Sequence, residues 1–199
     1  MIRDTALLGT RLVLGGYLAV HGAQKLFGAF GGHGLNATGA GFEAIGLRPG
    51  KQMAAVAGAS ELGGGLLTAA GIADPLGPLI LIGTMAVASA THRAKGPLGA
   101  NGGFELPLTN LAAAAALAAA GPGRFSAGPR LSRPLAAAAA AVGAALAAGS
   151  LARLLTAKPA PADEFRNAPA DEPAPAAAET AVLATAETEK AASGPADAE

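Results

Sequence analysis

The sequence predicts an all-α, integral membrane four-helix bundle, followed by a fifth, alanine-rich helical segment and a disordered C-terminal tail. Three observations carry that prediction. Of 199 residues, 51% are hydrophobic and only 14% charged, and the mean hydropathy is +0.41; an ordinary soluble domain has about a quarter of its residues charged. Four separated apolar stretches each approach the roughly 20 residues a helix needs to cross hydrocarbon. Glycine and proline breakers stand at their edges.

The first stretch runs from about Thr5 to Phe27 and ends in the glycine-rich GAFGGHG. Its opening, MIRDTALLGTRLVLGGYLAV, has the basic residue and apolar run of a secretory leader. Arg11 interrupts that run, however, and no small-x-small cleavage site follows before Lys25, so the stretch is read as an uncleaved span. The second covers about Gln52 to Ile72 and the third about Leu76 to Thr91. Between them Asp74-Pro75 leaves so short a turn that the two must be antiparallel neighbours. The fourth, about Glu105 to Ala120, stops at GPGRF, Gly121 to Phe125. This gives a membrane domain over residues 1–125.

The segment 126–157 contains the fifth candidate, Pro134 to Ala157, which is nearly all alanine with a few leucines and Arg153. Alanine is the best helix former but a weak membrane inserter, so a fifth span and a helix lying on the surface or packed on the bundle both stand open. Residues 158–199 are proline, alanine and acid with hardly a large apolar side chain. Such a segment cannot bury enough surface to offset chain entropy, and a disordered acidic tail is expected. The zero net charge hides this division: up to Ala157 there are eleven Lys or Arg against five Asp or Glu, and from Lys158 three against nine. Loop charge is balanced across the two faces, and only Arg124, Arg130 and Arg133 tip the amino terminus toward the cytoplasm.

The chemistry-bearing residues are those that an apolar helix keeps at a cost. A charge near a bilayer centre costs on the order of 3 kcal/mol even on lenient insertion scales, and the first stretch carries Arg11, His21 and Lys25. At about 100° per residue these share an arc of roughly 80°, one face directed at one partner surface. Glu61 in GASELGGGLL falls near mid-membrane between the levels of Arg11 and His21, and Glu105 opens the fourth helix level with Lys25. The expected pairings are Glu61 with Arg11 or His21, and Glu105 with Lys25, because buried charge persists only when paired or hydrogen-bonded. Plainer readings stand beside these. Arg11 and Glu61 are equally consistent with structural glue, Lys25 with a stem that snorkels to the interface, and His21 with a satisfied core histidine.

Other features carry less. The glycines at Gly63, Gly64 and Gly65 and those from Gly28 to Gly34 lack the spacing of a phosphate-binding motif; they fit close helix packing and a tight re-entrant loop. His33 has no carboxylate or histidine at metal-ligand spacing, so no metal site is expected, and His92 with Arg93 and Lys95 reads as an interfacial basic cluster. With no cysteine the chain offers no disulfide framework or thiol redox centre.

The order R-L-x-L-G-x-x-x-x-x-H-G-x-Q-K-L-F-G-x-F-G-G from Arg11 to Gly32, a Phe42-containing loop, A-S-E-L-G-G-G-L-L in the second stretch and N-G-G-F-E-L-P-L from Asn101 resembles the DoxX family of small bacterial four-helix membrane proteins. The resemblance covers about Thr5 to Phe125. It implies a multi-pass protein of the bacterial inner (plasma) membrane, related to subunits of thiosulfate:quinone oxidoreductase and to membrane anchors that assemble with superoxide dismutase and a sulfurtransferase. Carried onto this chain, the family's polar positions are Arg11, His21, Gln24, Lys25, Glu61, Asn101 and Glu105. In a quinone-linked redox component, His21, Lys25, Glu61 and Glu105 would handle protons, and Arg11, His21, Gln24, Lys25 and Asn101 would bind the headgroup. Quinone is the only cofactor suggested, with no metal, haem, flavin or nucleotide motif. The rival reading is a non-catalytic membrane anchor or scaffold for soluble redox enzymes, docked through loops or the acidic tail. An ion transporter would use the same charges, but no inverted repeat is evident. Expected partners are the lipid bilayer, soluble redox proteins and a second copy of the chain as a homo-oligomer; nucleic acid is not among them.

Overall fold

The computed structural model describes residues 1–156, so the expected disordered tail, 158–199, lies outside the described residues. Over the described residues the chain is helical without strands: α1 (Ile2–Phe27), α2 (Gly34–Ala44), α3 (Gly50–Ala70), α4 (Leu76–His92), α5 (Glu105–Ala120) and α6 (Arg133–Thr156). The boundaries of α1, α3, α4 and α5 fall within a few residues of the apolar stretches. The alanine-rich segment is a helix, and it packs on α4.

Helix α2 departs from expectation. The segment around Phe42, expected as a loop, is helical instead: GLNATGAGFEA, with three glycines in eleven residues, forms α2. Glycine costs about 1 kcal/mol relative to alanine inside a helix, so propensity argues against it. Tertiary packing reverses that preference: a Cβ on Gly39 would press on the Lys51 backbone, and one on Gly50 would strike Gly39 and Glu43. From α2, the Glu43 carboxylate accepts a hydrogen bond from Gly50 N at 2.5 Å and meets Arg48 at 3.1 Å. It thereby supplies the first turn of α3 with an acceptor, where exposed N–H groups favour a negative charge.

The seam between α1 and α3 is made by glycine. Gly15 opposes Gly65, and Gly22 opposes Gly58 and Leu62, so closely that a Cβ on Gly15 or Gly22 would collide with backbone atoms. Each helix thus carries two glycines seven residues apart, the spacing that returns a helix face to its partner in an antiparallel crossing. The α4 helix packs on α3, with Gly77 against Thr68 and Gly64, and α5 packs on both α4 and α1. Between them lie the buried Leu14, Leu18, Leu81, Met85, Ala114 and Leu117.

Among the described residues two helices, α3 and α6, are long and apolar enough to cross a membrane. With 26 residues α1 has the length, but Arg11, His21 and Lys25 lower its apolar character. The 17 residues of α4 and 16 of α5 reach about 25 Å, against hydrocarbon of about 30 Å.

Candidate functional site

The ionisable residues of the α1–α3 seam separate into two ends. At one end Arg11, only 3% exposed, donates from Nε to Thr68 O at 3.1 Å and from Nη2 to Ala69 O at 2.9 Å and Phe125 O at 3.2 Å, with Nη1 bonded to Pro122 O. The last four carbonyls of a helix lack intrahelical donors, and every one at the end of α3 is answered here. Leu67 O accepts from Gly71 and Ile72, Thr68 O and Ala69 O from Arg11, and Ala70 O from Ala127. Gly71 closes the helix at φ 66°, and the Arg11 guanidinium lies where its side chain would be. A cation on these carbonyls also complements the helix dipole. Asp74, in the turn between α3 and α4, faces the same end; its carboxylate meets Arg130 at 3.4 Å, and burial pushes its carboxyl above the ordinary range against the opposing pull of Arg130 and Arg11.

At the other end Lys25 Nζ lies 2.5 Å from Glu61 Oε2. This pairing differs from both expected ones. In an α-helix each side chain leans toward its own N-terminus, so in antiparallel helices Lys25 on α1 and Glu61 on α3 lean toward each other, and the long lysine stem covers the offset. Glu61 is 5% exposed, and Lys25 is the cation bound to it. Arg11 instead finds backbone acceptors. Among the described residues Glu105 pairs with no lysine; its Oε2 accepts from Gly99 N at 2.7 Å, tying the loop before α5 to that helix's first turn.

A cavity of about 340 Å³ opens beside the Lys25–Glu61 pair. Leu18, Ile45, Leu47, Met53, Val56, Ile80, Met85, Val87 and Leu106 give it apolar walls, and His21, Lys25, Ser60, Glu61, Thr84, Asn110 and His92 place polar groups on them. His21, Lys25 and Phe42 also border a second, shallower depression with Gln24, His33 and Thr38. The imidazole and ammonium thus stand between an apolar chamber and a more polar vestibule. Gln24 is fixed by its Nε2 donating to Phe30 O at 3.2 Å.

Of the sequence-predicted site residues, then, His21, Lys25 and Glu61 share the cavity and Gln24 joins them from the vestibule. Arg11 borders neither space. Asn101 sits exposed in the short 3₁₀ turn Gly99–Asn101, and Glu105 lies in the neighbouring loop contact. Sequence reasoning passed over His92 as part of a basic cluster, yet it borders the cavity, and its Nδ1 is 2.8 Å from Gly102 O. A carbonyl can only accept, so Nδ1 carries the hydrogen in this bond. The helix α6 was not expected at the site either, and it contributes Gly143, Leu146, Ala147 and Ser150. Among the described residues no group of three or more His, Asp or Glu gathers as a metal centre would require.

Residues 6–94, which take in most of α1, all of α2 to α4 and the Lys25–Glu61 pair, match the DoxX family model. That segment is a DoxX domain. No curated protein and no solved structure matches the chain. The DoxX segment carries most of the cavity's polar groups, whereas α5 and α6, which complete the walls, lie beyond it.

Proposed function

We propose that this chain, with its DoxX domain, is a multi-pass protein of the bacterial inner membrane, with α1, α3, α4 and α5 crossing as a bundle and α6 as a fifth span, and that it is the quinone-linked component of a larger oxidoreductase assembly. The observation that carries the reading is an apolar cavity whose wall holds His21, Lys25 and Glu61 together. Helices α4 and α5 fall about 5 Å short of the hydrocarbon thickness, a mismatch that a bilayer absorbs by thinning locally.

The residues fit a quinone. A cavity of about 340 Å³ lies within the range of roughly 300–1,000 Å³ typical of small-molecule sites with apolar walls and few polar groups. When bound, a quinone supplies a two-electron, two-proton acceptor. His21 and Lys25 offer hydrogen-bond donors to a carbonyl oxygen, Glu61 keeps the lysine in place, and the vestibule beside Gln24 and His33 leads toward water for proton exchange. With no cysteine in the chain, the electrons are delivered by a partner protein.

Equilibrium binding of a ubiquinone or menaquinone analogue to the protein in lipid nanodiscs tests the reading. Saturable binding is expected in the wild type and in Glu105→Gln, whose carboxylate is bonded to the Gly99 loop and does not line the cavity, and is expected to be lost in folded His21→Ala. A correctly folded wild type that binds no quinone would overturn the redox reading in favour of a membrane anchor.

A further inference from the structure

The inner walls of the cavity are held in place by glycine seams and buried leucines, but its outer wall is α6. No residue of that helix is buried, although Leu146, Ala147 and Ser150 border the cavity. Its main packing partner is α4. At its start Leu131 N donates to Asp74 O at 2.9 Å and Arg130 meets the Asp74 carboxylate. In its middle it crosses α4, where Gly83 faces Gly143 and Ala147. Near its end Arg153 reaches Arg48 O at 3.5 Å, a long bond.

We infer that α6 is a lateral gate, anchored at the Asp74 turn, and that the cavity takes a chain-bearing amphiphile from the bilayer by swinging α6 away from α4. The inference rests on the proposed reading only in treating the cavity as a ligand site. Three observations support it. The α6 helix is apolar and long enough to lie within hydrocarbon; at Gly83 even an added Cβ would meet α6 only at ordinary van der Waals distance, so the crossing is not interlocked there; and the wall that α6 provides is apolar apart from Ser150. Moving it exposes leucine and alanine, which lipid solvates and water does not. Ala147 and Gly143, as the smallest residues on this wall, set the width available to the ligand's chain.

The cysteine-free sequence permits a direct test. A Cβ built on Gly83 lies 3.8 Å from Ala147 Cβ, matching the mean spacing of about 3.8 Å in disulfides, so Gly83→Cys/Ala147→Cys in the full chain can fasten α6 to α4. Exchange is measured in nanodiscs for two probes, decylubiquinone and dodecylphenol, before and after reduction. The expected result is that oxidation slows exchange of both by about tenfold or more, that reduction returns it to the rate of the same variant before oxidation, and that exchange in either single variant does not respond to oxidation or reduction. Unchanged decylubiquinone exchange in the oxidised variant would overturn the gate and leave the quinone reading standing. Gated binding of dodecylphenol without decylubiquinone binding would do the reverse. A pair that never oxidises, or a wild type that binds neither probe, would overturn the gate.

Discussion

The two ends of the α1–α3 seam treat buried charge in opposite ways. At the Arg11 end the guanidinium is saturated by backbone carbonyls from α3 and the 122–125 loop, and neither cavity touches it. At the Lys25 end the ammonium meets one carboxylate and borders two open spaces. The same cost of carrying charge in an apolar helix supports architecture at one end and leaves an ion pair facing open space at the other. Ionisable residues in a membrane segment therefore mark a site only when their hydrogen-bonding capacity is left partly unused.

Arg11→Leu gives the largest effect expected from this contrast. It strands carbonyls at the end of α3 and the 122–125 loop and lowers stability by about 3–5 kcal/mol, while the fraction that folds still binds quinone. Arg11→Lys recovers only part of the loss, because an ammonium with three donors cannot span the four acceptors. Denaturation in detergent alongside quinone titration checks both; a loss of binding in well-folded Arg11→Lys would erase the distinction between the ends.

A smaller change is expected from Lys25→Met, which leaves Glu61 buried without its cation and costs about 2 kcal/mol. Adding Glu61→Leu returns stability close to wild type, since apolar replacement of a buried pair is commonly neutral. Quinone binding stays lost in that double variant. Recovery of both stability and binding would reduce the pair to packing.

The smallest effect concerns pH. With its carboxyl pushed above the ordinary range, chiefly by burial, folded Asp74 binds its proton more tightly than the unfolded chain does. Its contribution to stability is therefore full below the unfolded carboxylate value of about 3.9 and declines as pH rises through the folded value. Asp74→Asn is expected to flatten this part of the thermal-stability profile; an unchanged slope would assign it to another group.

Much of this organisation is legible in the sequence, though not all of it. The four long apolar stretches are visible because hydrophobic runs and their Gly and Pro edges are local properties. The identities of His21, Lys25 and Glu61 as cavity residues follow from the cost of placing them in apolar helices. The pairing of Lys25 with Glu61 depends on which way side chains lean in antiparallel helices, and level counting alone misses it. The partners of Arg11 are hidden for a simpler reason: they are main-chain carbonyls, which every residue carries. Helix α2 is hidden because its glycines serve close approach to α3, and that need exists only once α3 is in place. Gly15, Gly22, Gly58 and Gly65 offered an unused signal, two seven-residue glycine spacings that mark the seam.

The distance along the chain between Arg11 and its acceptors also shapes biogenesis. The nearest acceptor is 57 residues downstream and the farthest 114. At roughly 5–20 residues per second, synthesis leaves the guanidinium without its full set of carbonyls for on the order of ten seconds. During that interval α1 is a nascent helix with an unsatisfied cation, held by water, lipid phosphate or the insertion machinery until the ribosome has delivered Phe125.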